Sequence, residues 1–347
     1  MTADPSSLWP VSGDAAGILA LLREWDAAPA PRPLVIATSG STGLPKKVVL
    51  SREALRASAL ATAERLGGPG RWVLNLPPTY VAGVQVLYRS VVAGTEPVVT
   101  ADLVDARTRI SGRSYVSLVP TQLIRLLRDR NDGTAADVEA LAAFDAVLIG
   151  GGPLDPSVRV EAEEVGVRVV QTYGMSETCG GCVYDGVPLG GVEVRIADDG
   201  QVLLRGPVLF DGYADEPDRT AAAFSDGWLV TNDLGHLADD GRLRIEGRVD
   251  DVIISGGVKV PAQAVAAMVA RHDAVRAAAV VGLPDDEWGQ RVVAVVAPRD
   301  PITLDGLRDL VEPRSWAPRQ LVLVPELPVL PNGKPDRVAI AELAADA

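Results

Sequence analysis

Short runs of aliphatic residues alternate with helical stretches between positions 34 and 170, and this alternation constrains the fold more than any other feature. Consecutive parallel strands need a helical crossover between them, so the pattern predicts an α/β fold built on a helix-covered, mostly parallel sheet. The clearest helix covers residues 52–66, with Ser51 as its N-cap and Gly67 at its end. The predicted strands cover residues 34–37, 73–76, 97–100, 115–119, 146–149 and 167–170.

The pattern changes after Gly190, where predicted strands 192–196 and 201–204 flank a turn at Asp198, Asp199 and Gly200. This hairpin predicts a β-subdomain. A charged, glycine-flanked stretch around Asp250 then predicts a hinge. We therefore expect a large N-terminal domain, residues 1–249, followed by a small mobile α+β domain, residues 250–347.

The net charge of −13 disfavours binding to nucleic acid, which needs a basic surface. The N-terminus has no basic residue before Arg23, unlike a signal peptide, and no apolar run approaches the roughly 18 residues of a membrane helix. We expect a cytoplasmic protein without membrane insertion. A homodimer stays open, because the helix exteriors show no recognisable dimer pattern.

A loop rich in hydroxyl groups and glycines follows the first predicted strand and reads Thr38-Ser-Gly-Ser-Thr-Gly-Leu-Pro-Lys46. Glycines let backbone amides approach an anion closely, and the hydroxyl groups and Lys46 add donors and charge, so the loop predicts a phosphate site. It is not a Walker loop, because the Walker spacing is absent and a strand, residues 48–50, is predicted to follow. A flexible Ser/Gly linker is the alternative. The candidate ligands are Thr38, Ser39, Gly40, Ser41, Thr42, Gly43 and Lys46.

This loop resembles the signature loop of the adenylate-forming superfamily, which includes acyl- and aryl-CoA synthetases, luciferases and the adenylation domains of peptide synthetases. Six more segments resemble the family's motifs in the family's order, so the resemblance runs from Thr38 to Arg337. The segments are residues 76–83, 150–153, 171–178, 228–235, 247–261 and 330–337.

The resemblance implies roles for individual residues of the nucleotide site. The adenine would pack against the loop of Gly150, Gly151 and Gly152 and stack on Tyr173, and Gly174 would belong to the same nucleotide site. Ser176 would touch the α-phosphate, and Glu177 would hold Mg²⁺, a hard cation that binds carboxylates together with phosphates. Asp233 and Arg248 would bind the ribose. Lys334 would bridge the carboxylate and the α-phosphate during adenylation.

The resemblance also assigns the acyl pocket and the thiol channel. Tyr80, Gly83 and Cys179 would line the acyl pocket, with Tyr80 where the family often has a histidine. Asp250 would be the hinge, and Ser255, Gly256 and Gly257 would line the coenzyme A channel. Cys179 also forms a Cys-Gly-Gly-Cys with Cys182, for which a redox pair or half of a zinc site is the alternative to a pocket wall.

The implied activity is ligation of a carboxylic acid to coenzyme A with ATP and Mg²⁺. The acid would attack the α-phosphorus, pyrophosphate would leave, and rotation about Asp250 would withdraw Lys334 before the thiol attacks. Because the signature loop starts at Thr38, the chain is similar to compact o-succinylbenzoate-CoA ligases of menaquinone biosynthesis. The second carboxylate of such an acid would need a cation, for which Arg89, Arg113 and Arg125 are candidates.

Three alternatives stay open at this point. The acid could be a fatty or aryl acid instead. A free-standing adenylation domain would load a separate carrier protein, since the chain contains no carrier-like serine motif. A non-catalytic nucleotide-binding module would keep the fold without the reaction.

Overall fold

The computed structural model describes residues 8–38, 46–128, 134–330 and 335–347. These residues form two compact units. The first contains residues 8–38, 46–128, 134–194 and 204–229, and the second contains residues 195–203, 230–330 and 335–347. The domain boundary after residue 249 and the hinge at Asp250 stay predictions.

The helices and strands are numbered in chain order. The helices are α1 (Ala15–Ala27), α2 (Arg52–Arg65), α3 (Val81–Ala93), α4 (Leu103–Thr108), α5 (Pro120–Arg128), α6 (Thr134–Ala142), α7 (Pro156–Glu164), α8 (Pro217–Ala222), α9 (Ala262–Val269), α10 (Leu304–Arg308) and α11 (Arg337–Ala345). The strands are β1 (Trp9–Pro10), β2 (Leu34–Ala37), β3 (Lys47–Leu50), β4 (Arg71–Leu74), β5 (Val98–Val99), β6 (Ser114–Leu118), β7 (Ala146–Ile149), β8 (Val169–Met175), β9 (Gly180–Tyr184), β10 (Val187–Pro188), β11 (Glu193–Ile196), β12 (Gln201–Arg205), β13 (Gly212–Tyr213), β14 (Phe224–Ser225), β15 (Trp228–Leu237), β16 (Leu243–Arg248), β17 (Val252–Ser255), β18 (Val258–Pro261), β19 (Val275–Asp285), β20 (Gly289–Pro298) and β21 (Gln320–Leu323).

The main sheet of the first unit has the strand order β10-β9-β8-β7-β6-β4-β5. Its strands β4 to β8 pair in parallel, while β9 and β10 are antiparallel additions. The α/β fold with a mostly parallel sheet is therefore confirmed. The predicted end of β8 at residue 170 was wrong, because the strand continues to Met175 where its pairing with β9 takes over.

The prediction that strand 34–37 belongs to the parallel sheet was also wrong. This strand, β2, lies in a separate sheet of order β1-β2-β3-β13. It pairs antiparallel with β3, with Ala37 opposite Lys47. The physical reason is that only nine residues separate β2 from β3. A parallel crossover needs about a dozen residues or more, so the two strands form a hairpin instead.

A hydrophobic core packs between the parallel sheet and helices α4 to α7. The sheet contributes Val116, Val147 and Ile149, and the helical side contributes Leu123 and Leu141, all of them buried.

The predicted helix after Ser51 is confirmed, since the Ser51 side chain accepts a hydrogen bond from the Ala54 amide at 3.3 Å and α2 begins at Arg52.

The second unit contains a sheet of order β18-β17-β20-β19, to which β21 adds in parallel. The long antiparallel pair of β19 and β20 covers Val275 to Pro298, and helix α9 packs Val265 and Val269 against it. The predicted turn after β11 is confirmed by the 2.9 Å hydrogen bond from the Ala197 amide to the Gln201 carbonyl. None of the helices in the described ranges is long and apolar enough to cross a membrane.

Candidate nucleotide and acyl-acid site

Two of the segments predicted to bind the nucleotide lie at the carboxyl edge of the parallel sheet, on neighbouring strands. Residues 150–152 follow β7, and Tyr173 and Gly174 are near the end of β8, which pairs with β7. A Cβ atom on Gly150 would overlap the Thr172 hydroxyl oxygen, so the glycine lets the loop pass this side chain. The edge is the place where open α/β sheets bind ligands.

Ser176 and Glu177 form a short 3₁₀ turn directly after β8. Two hydrogen bonds hold the turn in place: the Met175 amide donates to the Thr178 hydroxyl at 2.9 Å, and the Phe210 amide donates to the Glu177 carbonyl at 2.9 Å. Glu177 is buried, with 9% of the residue exposed. A buried carboxylate next to a strand end suits a cation shared with phosphates, so the residue fits the predicted magnesium ligand.

The described ends of the predicted phosphate loop are joined by two hydrogen bonds. The Thr38 amide donates to the Lys46 carbonyl at 2.8 Å, and the Lys46 amide donates to the Thr38 hydroxyl at 3.2 Å. The loop therefore starts and ends at one point of the β2–β3 hairpin. Ser39, Gly40, Ser41, Thr42 and Gly43 lie outside the described residues.

Tyr213 joins Lys46 to Glu177. Its hydroxyl donates to Glu177 Oε1 at 2.7 Å, and Lys46 Nζ lies 5.4 Å from the centre of its ring. Burial and the negative charge of Glu177 raise the pKa of the Tyr213 phenol, which keeps it protonated as a donor. Sequence reasoning missed Tyr213, because nothing in its neighbourhood marks it and only the pairing of β13 with β3 brings it here.

The predicted acyl-pocket residues cluster around the start of α3 and the turn before β9. Tyr80 is the N-cap residue of α3, and Gly83 lies in the first turn against the Pro77 and Pro78 backbone. Cys179 is fully buried, and its carbonyl accepts a hydrogen bond from Gln85 Nε2 at 2.7 Å.

The two cysteines are free thiols, and both are fully buried. Burial raises the pKa of Cys182 to about 12, and it raises the pKa of Cys179 as well. Among the described residues, no group of three or more His, Cys, Asp or Glu side chains could hold a metal ion. Neutral buried thiols are unreactive, so the geometry gives no support to a redox pair.

Arg89 differs from the other two arginines proposed for a second carboxylate. The residue is 7% exposed, its Nη2 donates to the Tyr184 hydroxyl at 3.2 Å, and its guanidinium carbon lies 4.8 Å from the Trp72 ring centre. Its Nε has no hydrogen-bond partner within the described residues. Arg113 instead donates to the Gly67 carbonyl at the surface, and Arg125 is exposed on α5.

In the second unit, the predicted ribose ligands are neighbours. Asp233 on β15 is opposite Arg248 on β16, with 3.6 Å between Asp233 Oδ1 and Arg248 Nη1. Arg248 also donates to both carboxylate oxygens of Asp250, each at 2.8 Å. Burial raises the pKa of Asp250, but the hydrogen bonds and charge of Arg248 outweigh it and lower the pKa overall. Thus Arg248 connects the predicted ribose ligand to the predicted hinge residue.

The predicted coenzyme A channel residues form the turn between β17 and β18. Ser255 pairs with Val258, so Gly256 and Gly257 are the two turn residues. The Gly256 amide donates to the Trp288 carbonyl at 2.8 Å, and the Ser255 hydroxyl is buried without a partner among the described residues. Sequence reasoning did not single out Trp288. Lys334, the predicted adenylation lysine, lies outside the described residues.

The strand-end segments, the buried Glu177 and the hydrogen-bonded pair of Thr38 and Lys46 fit the nucleotide site of an adenylate-forming enzyme. The sequence matches agree: residues 24–214 match the AMP-binding enzyme family, and residues 264–334 match the AMP-binding enzyme C-terminal domain. The chain belongs to the AMP-binding enzyme family.

Known proteins with similar chains include a probable 2-succinylbenzoate–CoA ligase from Mycobacterium tuberculosis (strain CDC 1551 / Oshkosh). It is 47% identical over 326 residues, which are 88% of this chain and 83% of that protein. Among solved structures, the o-succinylbenzoate CoA synthetase MenE from Bacillus subtilis, in complex with the acyl-adenylate intermediate OSB-AMP, has a TM-score of 0.77 and 29% identity, covering 88% of this chain and 68% of that one. That synthetase has also been solved with ATP and magnesium ion.

A second kind of enzyme is about equally similar in structure. The amide bond synthetase McbA from Marinactinospora thermotolerans has a TM-score of 0.78 and 31% identity, covering 88% of this chain and 67% of that one. The fold is therefore shared by a CoA synthetase and an amide bond synthetase.

Proposed function

We propose that this chain is an ATP-dependent acid–CoA ligase that activates 2-succinylbenzoate as an acyl-adenylate and transfers the acyl group to coenzyme A. The observation that carries the proposal is the 47% identity, over 88% of this chain, with a probable 2-succinylbenzoate–CoA ligase. The reaction would belong to menaquinone biosynthesis. Its substrates would be ATP, coenzyme A and the acid.

The first unit supports the adenylation half of the proposal. Lys46 and the amides of the loop would bind phosphate oxygens, because two hydrogen bonds with Thr38 hold Lys46 at the end of the loop. Ser176 would contact the α-phosphate at the end of β8, and Glu177 beside it would hold Mg²⁺. Mg²⁺ held by Glu177 would offset the negative charge that develops on the phosphates. The carboxylate of the acid substrate would form a new bond to the α-phosphorus of ATP while the bond between that phosphorus and pyrophosphate breaks.

The second unit would supply the ribose contacts, the hinge and the thiol channel. Asp233 can accept hydrogen bonds from ribose hydroxyls, and Arg248 lies within 3.6 Å of it to donate others. Lys334 as the adenylation lysine, Asp250 as the hinge and Ser255 to Gly257 as the channel all belong to the proposal. A cytoplasmic location and a homodimer stay predictions.

We assign the second carboxylate of the acid to Arg89. A buried guanidinium normally needs an anionic partner, since transfer of a charge out of water is costly. No acidic side chain in the described part of the chain is paired with Arg89, and the Arg89 Nε has no hydrogen-bond partner there. Gln85, one helical turn before it on α3, contacts the Cys179 carbonyl of the predicted acyl pocket. A substrate carboxylate would complete this pairing.

A screen of AMP release with ATP and coenzyme A over several acids tests the proposal. We expect 2-succinylbenzoate to exceed aryl and fatty acids, and also 4-oxo-4-phenylbutanoate, which lacks the ring carboxylate. A preference for fatty acids would remove the assignment. Supplying coenzyme A, a pantetheinylated carrier protein or an amine as the acceptor separates the ligase from an adenylation domain and from an amide synthetase.

The Arg89 assignment has its own test. Arg89→Met should lower kcat/KM for 2-succinylbenzoate by about 10²-fold, the usual cost of removing one partner of a buried charge pair, and should affect 4-oxo-4-phenylbutanoate much less. Arg125→Met is the matched control, because Arg125 is exposed on α5. An equal loss with both acids would mean that Arg89 only supports the packing around Tyr184.

A further inference from the structure

We propose that Tyr213 is a positioning residue for the adenylation centre: its hydroxyl orients the Glu177 carboxylate toward the metal, and its ring holds the Lys46 ammonium beside it. The inference rests on the proposed function for the identity of Glu177 as the magnesium ligand. It adds a residue to that site which no motif of the sequence assigns.

The contact to Glu177 leaves one carboxylate oxygen for a cation. The Tyr213 hydroxyl donates to Oε1 at 2.7 Å, so the second oxygen, Oε2, can face the metal. Hydrogen bonds to an ionised acceptor are roughly twice as strong as neutral ones, and they restrict the rotation of the side chain. Because Glu177 is only 9% exposed, water is a poor substitute for the phenol.

The contact to Lys46 comes from the same ring. Lys46 Nζ lies 5.4 Å from the ring centre, inside the roughly 6 Å range of cation–π attraction. Lys46 also ends the predicted phosphate loop through its hydrogen bonds with Thr38. The Tyr213 side chain therefore fixes the distance between Lys46, the predicted phosphate-binding cation, and Glu177, the predicted metal ligand.

Tyr213 is itself held on several sides. Its backbone pairs with Val48 in the β13–β3 ladder, and its amide donates to the Thr220 hydroxyl at 2.9 Å. Its ring packs edge-on against Phe210, with 4.9 Å between ring centres. Phe210 in turn donates its amide to the Glu177 carbonyl. A side chain locked by packing can position a functional group, whereas a mobile one cannot.

The test is Tyr213→Phe, which removes the hydroxyl and keeps the ring. The probe is Mn²⁺ with α,β-methylene-ATP, and electron paramagnetic resonance of the free Mn²⁺ reports binding without turnover. We expect the affinity for Mn²⁺ with the nucleotide to fall by about tenfold, as for the loss of one charge-assisted hydrogen bond. Affinity for the nucleotide without metal should stay unchanged, because the phenylalanine ring of the variant still contacts Lys46.

Tyr88→Phe is the matched control. Its hydroxyl donates to Asp26 Oδ1 at 2.5 Å, which is the same chemistry away from this cluster. This variant should bind Mn²⁺ and the nucleotide as the wild type does. Loss of metal affinity in Tyr88→Phe equal to that in Tyr213→Phe would overturn the inference, since both would then act through general stability.

A double-mutant cycle with Glu177→Gln separates positioning from packing. In the Glu177→Gln background, Tyr213→Phe should cause no further loss of metal affinity, because the oriented group is already gone. A second full tenfold loss, or wild-type affinity in Tyr213→Phe alone, would overturn the inference. A wild-type chain that binds no Mn²⁺ with the nucleotide would instead overturn the proposed function on which the inference rests.

Discussion

Gly83→Ala tests whether the start of α3 tolerates a side chain next to the Pro77-Pro78 loop. Gly83 is the third residue of α3, and an added Cβ would overlap the Pro77 carbonyl oxygen and lie 2.8 Å from Pro78 Cα. Carbon atoms prefer separations of about 3.5–4.0 Å, so the loop or the helix would have to move by about 1 Å. Both neighbours are backbone atoms, which cannot rotate away.

Two opposing terms decide the size of the effect. Alanine is favoured over glycine in a helix by about 1 kcal/mol. Overpacking costs about 1–3 kcal/mol, and sometimes more. With backbone on the other side we expect the upper part of that range, so the free energy of unfolding should fall by about 1–2 kcal/mol, or about 3–6 °C in Tm.

The assay is thermal unfolding followed by circular dichroism, with Gly306→Ala as the matched control. Gly306 is also helical, in α10, but among the described residues an added Cβ would meet only the Thr303 hydroxyl at 3.4 Å and His272 Nε2 at 3.9 Å, which are ordinary contacts. That variant should gain up to about 1 kcal/mol. If Gly83→Ala were as stable as the wild type or more so, the steric argument would fail. The predicted lining of the acyl pocket would then be the one role left for Gly83.

Three further predictions concern the chemistry. Lys334→Ala should lower adenylate formation, measured by pyrophosphate exchange, by about 10²-fold or more, while thioester formation from a supplied acyl-adenylate survives; equal loss in both steps would make Lys334 structural. Burial raises the pKa of Cys182 from the ordinary 9.0 to about 12, so the unfolded state loses the thiol proton first; this group leaves the stability of the fold unchanged below pH 9 and lowers it as the pH rises from 9 toward 12. A thiol reagent at pH 8 should therefore label the cysteines only after unfolding by urea, and rapid labelling of the native protein would contradict the burial. Asp233→Asn should raise the KM for ATP by about tenfold with a smaller change for the acid, measured by AMP release, and an unchanged KM for ATP would remove Asp233 from the ribose site.

The fold class was predictable because it depends on local patterns. Aliphatic runs separated by helical stretches mark parallel strands, and the cap at Ser51 marks the start of α2. The loop from Thr38 to Lys46 was recognisable for the same reason, since its glycines and hydroxyl groups follow one another along the chain. The sheet that contains β2 was only partly predictable: its hairpin with β3 follows from a short local connection, but β13, which completes the sheet by pairing with β3, lies about 160 residues further along the chain.

The sequence by itself determined the residue types and spacings of the motifs, and with them the family and the expected chemistry. Only the tertiary structure decided which residues support those motifs. Tyr213 and Glu177 are 36 residues apart, and Arg89 is 95 residues from the Tyr184 hydroxyl it contacts. Burial and hydrogen bonding between such distant side chains depend on how the sheets pack, and no local pattern records that packing.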